Sequence, residues 1–411
     1  MNTPLAPCAL YDYAPPPVVP AIDLDPFTTE FFADPYPAHA LLRDSGPVVW
    51  LTRYGIAASA RYEEVRRVLS DWQTFSSARG VGMSDFNIHG RFRLPSIILE
   101  ADPPQHTRSR HAISKALSPA VMRGLRERFA SAAGKMLDNL VAKGEFDACV
   151  ELAEAFPLRV FPDALGMRPQ NRHHLLPYGD MVFNSFGPPN ELFQRAAKRA
   201  DESFPWVESE ALRENLRPDG IGMILYNCAD AGEITSEEAH KLVRSILTAG
   251  VDTTVNGIGA ALYCLARFPE QWDKLRADPE KLARAAFEEA VRFESPVQTF
   301  FRTTTRATEL GGVPLEADRK VLVFLGAANR DPRQWRDPDS YDIERKTLGH
   351  VGFGTGIHAC VGQLLARLEG EVVLRALAQR VRKLELAGAP ERRFNNTLRG
   401  LKHLPLRVVK D

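Results

Sequence analysis

Between about Tyr36 and Thr74 apolar residues recur first at helical spacing and then in alternation, as in VVWLTRYGIAASA, which predicts a helix followed by a small sheet. From about Gln105 to Arg292 helical spacing dominates. Within that stretch Thr235-Ser236-Glu237-Glu238 has the form of a capping box, and no proline follows until Pro269. One helix of roughly 30 residues, about 45 Å long, is expected there. Its middle, Leu242 to Leu265, is apolar apart from Arg244, Asp252, Thr253, Thr254 and Asn256, the pattern of a buried helix rather than a membrane span.

Between Ser295 and Gly356 proline, glycine and aspartate break the chain into short β-branched runs such as KVLVFLG. A last amphipathic helix is expected from Cys360 to about Arg380. Pro15, Pro16, Pro17 and Pro20 can neither continue a helix nor donate to a sheet. Residues 1–22 are therefore expected as an extended arm, and residues 23–411 as one domain, mainly α with small β-sheets near 45–75 and 295–350. No internal repeat interrupts it.

Composition narrows the function. The chain has 411 residues, 44% hydrophobic and 25% charged, enough for a large core. Its 52 basic residues balance 52 acidic ones, which argues against nucleic acid or an anionic membrane as partner. The N-terminus lacks a basic start followed by an apolar run, so neither signal nor anchor is expected and the protein is read as cytoplasmic. The five cysteines, Cys8, Cys149, Cys228, Cys264 and Cys360, are scattered and never spaced Cys-x-x-Cys, against a disulfide framework or zinc site.

Chemistry concentrates at Cys360. Gly352, Gly354 and Gly356 allow a tight turn, and the following helix directs amide N–H groups and its positive end at the sulfur, a setting that favours thiolate. A lone cysteine beside a turn is more often a small buried side chain. A threonine inside a helix, as at Thr253 and Thr254, is more often bonded to the carbonyl four residues back.

Two motifs together change that balance. Phe353-Gly354-x-Gly356-x-His358-x-Cys360-x-Gly362 resembles the haem-binding loop of the cytochrome P-450 family, and Ala249-Gly250-Val251-Asp252-Thr253-Thr254 resembles its oxygen-activation motif. The resemblance implies the cytochrome P-450 fold, with haem b between the long central helix and the helix after the cysteine loop. It makes Cys360 the axial iron ligand, Phe353 the ring beside the sulfur, Thr253 the hydroxyl and Asp252 the relay that deliver protons to dioxygen. His106, Arg110, Arg302 and His350 stand at propionate-binding positions. Glu289, Arg292 and Arg345 match an ion-pair cluster that braces the cysteine loop.

Over about Asp23 to Leu406 the chain resembles the bacterial subgroup that oxidises para-substituted benzoic acids such as 4-methoxybenzoate, through RGVGMSDF, IILEADPP, FNSFGPPNEL, VRSILTAGVDTTVNGIGAA, SPVQTFFRTTTR and FNNTLRGL. That implies an anion anchor of Arg93, Ser96, Arg244 and Ser245. It implies an aromatic slot of Leu99, Phe183, Phe186, Ala249, Val297 and Phe300, residues for which core packing is the commoner fate. With no nucleotide fingerprint or iron–sulfur spacing in the chain, electrons must come from a separate protein, and the family resemblance implies a [2Fe–2S] ferredoxin and its NAD(P)H-dependent reductase, with Arg108 and Lys115 as candidate docking charges. The competing readings are the same chemistry on another small aromatic or hydrophobic acid, a peroxide-driven peroxygenase, against which the Asp252-Thr253 pair argues, and a haem-based ligand sensor.

Overall fold

Helices occupy most of the chain between Gln105 and Glu294 in this computed structural model, which describes residues 11–91 and 93–410. The first ten residues of the expected arm, with Cys8, lie outside the described residues. The helices Pro119–Lys143, Asp252–Arg267, Pro279–Glu294 and Gln363–Ala378 pack on one another around the main apolar core. Their approach is close because glycine replaces a side chain: a methyl on Gly370 would sit 2.2 Å from Cδ2 of Phe287.

The long central helix is not continuous. It runs as Ser236–Gly250 and Asp252–Arg267, with Val251 between them at φ −103°, ψ −68°. The capping box at Thr235 and Glu238 forms as its spacing predicts. At the interruption the hydroxyl of Thr253 donates to the Ala249 carbonyl at 2.8 Å and that of Thr254 to the Gly250 carbonyl at 3.4 Å. Both carbonyls are the ones the amides of 253 and 254 would use in an unbroken helix.

The main sheet has six strands in the order Ala21–Ile22, Val49–Leu51, Ile56–Ser59, Lys320–Phe324, Thr299–Thr304, Phe75–Ser76. Pairing is parallel for the first pair and for Ile56–Ser59 with Lys320–Phe324, and antiparallel elsewhere. Strands in the 295–350 region end at Phe324, and the short helix Leu325–Ala328 followed by turns carries the chain from there to the cysteine loop. Beyond Ala378 four further strands, Val381–Leu386, Glu391–Phe394, Arg399–His403 and Pro405–Lys410, form two small sheets for which the sequence pattern gave no expectation. Ordered contacts begin earlier than Asp23: Tyr11 is 4% exposed. Among the described residues no helix is long and apolar enough to cross a membrane.

Candidate active site

The cysteine turn is built by its glycines. Gly354 and Gly356 adopt φ of +67° and +70°, and the Cys360 amide donates back to the Phe353 carbonyl at 2.8 Å. At Gly356 a methyl would also lie 2.7 Å from the Ser70 Cα, so the turn is pressed against the Tyr62–Ser70 helix. Cys360 thereby faces a cavity of about 270 Å³, measured as space open to the centres of water molecules. Burial pushes its thiol above the ordinary value; the amides of Gly362 and Gln363 and the charges of Arg110 and Arg367 oppose that without overcoming it. The amides that the turn aims at the sulfur and the two guanidiniums act in the direction of the thiolate, the form that binds a metal cation.

Positive charge converges on the same cavity. Arg302 is 3% exposed, lines the wall and donates to the Phe301 carbonyl at 2.8 Å, and burial brings its pKa down to about 10. Arg110 also lines it and donates to the Ala359 carbonyl at 2.5 Å. His358 lines it with neither ring nitrogen hydrogen-bonded; the Asp102 carboxylate stands 3.7 Å from Nε2. His106 is absent from the cavity wall and stands behind His358, its ring 4.4 Å from that of His358, with Nε2 unpartnered and the pKa brought down to about 4 by burial first and by His358 and Arg110 next. Guanidiniums and orphan ring nitrogens of this kind suit a ligand with carboxylates, so the residues present fit a haem whose propionates they would neutralise and whose iron Cys360 would hold.

His350 does not belong to this set. Its Nε2 meets Glu288 at 2.8 Å, its Nδ1 accepts from the Gly352 amide at 3.2 Å, and it is absent from the cavity wall. The carboxylate of Glu288, also paired with Arg367, is a nearer and already charged partner. The histidine that reaches the cavity is His358, two residues before Cys360, a position the quoted motif contains. Phe353 lines the wall and is covered by the Arg367 guanidinium 4.5 Å above its ring. Behind the turn, Glu289 accepts from Arg292 Nε at 2.7 Å and from Arg345 Nε at 3.0 Å, with Glu289 and Arg292 both 0% exposed. Arg292 and Arg345 also donate to carbonyls between Asn329 and Ser340, which ties down the strandless stretch that leads to Cys360.

The pair expected to handle protons, Asp252 and Thr253, is split. Thr253 lines the cavity; Asp252, 4% exposed, does not. Its Oδ2 rests on Gly179, where a methyl would be 1.6 Å away, and has no hydrogen-bond partner. Burial, followed by the charge of Asp180, pushes the Asp252 carboxyl well above the ordinary value, against the pull of Arg393. Asp252 is therefore held as a protonated acid to higher pH than a solvated aspartate.

Leu99, Phe183, Phe186, Ala249, Val297 and Phe300 all line the cavity, with the Phe186 ring 5.7 Å from Phe183 and 6.0 Å from Phe300. Arg93, Ser96, Arg244 and Ser245 line it too, and the two serine hydroxyls are 3.2 Å apart. Both arginines carry a counter-ion. Arg93 binds both oxygens of buried Glu100, one at 2.7 Å, and Arg244 donates to Glu208 at 2.9 Å. Glu100 and Glu208 had no signal of their own in the chain, since each is defined only by the arginine it meets.

The family model for Cytochrome P450 matches residues 190–405. Cytochrome p450 CYP199A2 of Rhodopseudomonas palustris is 59% identical over 392 residues, covering 95% of each chain. The cytochrome P450 monooxygenase PikC of Streptomyces venezuelae is 32% identical, over 94% of each. Among solved structures, cytochrome P450 CYP109Q5 from Chondromyces apiculatus superposes with a TM-score of 0.79 at 33% identity, over 95% of this chain and 99% of that one. P450BioI, solved in complex with hexadec-9Z-enoic acid ligated acyl carrier protein, gives 0.83 at 26% identity, over 93% and 100%. With this turn, this cavity and these relatives, the chain belongs to the cytochrome P450 family, monooxygenases that bind haem b through a cysteine thiolate.

Proposed function

We propose that the substrate is a para-substituted benzoic acid and that the reaction on 4-methoxybenzoate is O-demethylation. What carries the reading is one cavity that combines three phenylalanines with two adjacent serine hydroxyls flanked by Arg93 and Arg244. Ser245 and Ala249 stand one turn apart on the helix Ser236–Gly250, about 6 Å along its axis, and Thr253 follows beyond the break at Val251, so the serine pair and Thr253 face the same cavity at separate positions along it. Apolar walls and the serine pair, set apart from the cluster of Arg110, Arg302 and His358, orient the ring and leave the para group next to Cys360 and Thr253.

When bound, haem supplies activation of dioxygen, with one oxygen atom inserted into substrate and two electrons delivered from outside. Cys360 would hold its iron, while Arg110, Arg302 and His358 would hold its propionates, with His106 backing the His358 ring. The chain also handles protons. Thr253 Oγ1, now donating to the Ala249 carbonyl, turns toward the cavity to give its proton, and Asp252 replaces that proton after its carboxyl rotates away from Gly179. Insertion at the methoxy carbon yields a hemiacetal that collapses to 4-hydroxybenzoate and formaldehyde.

Electrons come from a [2Fe–2S] ferredoxin and its NAD(P)H-dependent reductase, docked on the Cys360 side. Arg108 and Lys115 contribute little charge to that docking, because Arg108 pairs with Glu238 and Lys115 reaches both oxygens of Glu233 at 2.6 and 2.7 Å.

Titration of the ferric holoenzyme with 4-methoxybenzoate, followed at the haem Soret band, tests the substrate. A saturable shift to high spin, and formaldehyde on turnover with a ferredoxin system, is expected. Bound haem with no shift for any para-substituted benzoate removes the anchor assignment.

A further inference from the structure

The residues ahead of the first strand take no part in this chemistry, yet they reach the cavity wall at one remove. The Tyr11 ring stacks on Tyr13 with centroids 4.8 Å apart and meets the His89 ring edge-on at 5.1 Å. Its hydroxyl donates to the carbonyl of Met83 at 2.5 Å. Met83, 0% exposed, donates its own amide to the carbonyl of Phe186 at 2.7 Å. Next to it, a methyl on Gly82 would sit 2.7 Å from the Phe186 Cα, so the two backbones touch. Phe186 is the ring between Phe183 and Phe300, and the Arg93 guanidinium lies 5.1 Å above it.

Met83 lies in residues 79–90, a loop that ends in the short helix Phe86–His89, and the flanks of that loop are held by other groups. Arg79 pairs with Asp85 at 2.8 Å, Lys320 Nζ donates to the Gly80 carbonyl at 2.8 Å, and the Phe301 amide to the Val81 carbonyl at 2.9 Å. The arm that carries Tyr11 is anchored in turn. Tyr13 donates to the Asp318 carbonyl at 3.0 Å, the Arg319 guanidinium lies 4.2 Å above its ring, and the Pro20 carbonyl accepts from Trp50 at 2.8 Å. Pro15, Pro16 and Pro17 stiffen the span between those anchors.

We propose that Tyr11 is a positioning residue for the substrate slot: by holding Met83 it fixes the seam between the 79–90 loop and Phe186. That seam sets how readily a ligand passes the loop and how firmly Phe186 packs against it. The inference rests on the cavity being the substrate site and is independent of which acid is bound.

Tyr11→Phe keeps the ring and removes the donor, and Tyr11→Ala removes both. In the holoenzyme, amides of residues 79–90 should exchange hydrogen about fivefold faster in Tyr11→Phe, as loss of one buried hydrogen bond implies, and faster again in Tyr11→Ala. Amides of the Asp252–Arg267 helix should be unchanged. Binding and release of 4-phenylimidazole, an azole that ligates ferric haem whatever the natural substrate, should both quicken. Wild-type exchange and azole kinetics in Tyr11→Phe would overturn the proposal. So would exchange that quickens equally throughout the molecule, because Tyr11 would then act on global stability alone.

Discussion

Each serine of the anchor has one hydroxyl proton, and where that proton now points decides what the anchor gains from a carboxylate. Ser245 donates to the Lys241 carbonyl at 2.8 Å, so at the 3.2 Å contact between the two hydroxyls Ser96 is the donor. A hydrogen bond to a charged acceptor contributes about 1.5–3 kcal/mol and a neutral one about 1 kcal/mol. Ser245 gives up a good neutral bond to bind the acid, for a net gain of about 1 kcal/mol, whereas Ser96 gives up a longer one and gains about 2 kcal/mol. Ser96→Ala should therefore raise the Kd for 4-methoxybenzoate about 30-fold and Ser245→Ala about 5-fold, with little change for the neutral isostere 4-methoxybenzamide. Ser96 Oγ also accepts from the amides of Ile98 and Leu99, so its removal disturbs the local turn. That disturbance affects both ligands alike and cancels in the ratio of the two Kd values, read from spin-state titrations. Equal losses for acid and amide, or a larger selective loss in Ser245→Ala, would refute the proton assignment.

Glu369 is 0% exposed, neither oxygen has a partner, and burial pushes its pKa well above the ordinary 4.5. The folded state then keeps a proton that the unfolded chain releases, so from pH 4.5 upward this group costs about 1.4 kcal/mol of stability per pH unit until it ionises. Glu369→Gln should gain on wild type in melting midpoint between pH 5 and 6, and a pH-independent difference would sink the idea. Gly179→Ala, which leaves every charge in place but intrudes on the Asp252 carboxyl, should preserve the benzoate spin shift while diverting reducing equivalents from product to peroxide; unchanged coupling would free Asp252 from its proposed role. Glu289→Ala strands buried Arg292, a loss of about 3–5 kcal/mol for a broken buried pair, and should lower both melting midpoint and haem content. A variant with wild-type haem content and melting would show that the cluster does not brace the cysteine turn.

The parts of the site legible in the chain are those written in consecutive residues. The glycine-spaced turn at Cys360, the capping box at Thr235 and the threonines after Gly250 each act through hydrogen bonds within a few positions. Helical periodicity located the body of the fold for the same reason, since the spacing of apolar positions is a local property. Of the extra strands after Ala378, Pro405–Lys410 takes part of its definition from a distant partner, as Leu406 from Phe146, while Glu391–Phe394 and Arg399–His403 pair locally but carry no alternation of apolar and polar residues.

Amino-acid order alone therefore determined the haem loop, the class of fold and which side chains are available to the cavity. Tertiary structure decided how those side chains are used. It chose His358 over His350 by placing Glu288 beside the latter, and it turned Asp252 toward Gly179. It also matched Arg93 with Glu100 and Arg244 with Glu208, and set Tyr11 on Met83. A buried charge or donor must find its partner wherever packing brings one within about 3 Å, and that distance is fixed by the meeting of separate elements, not by their spacing along the chain.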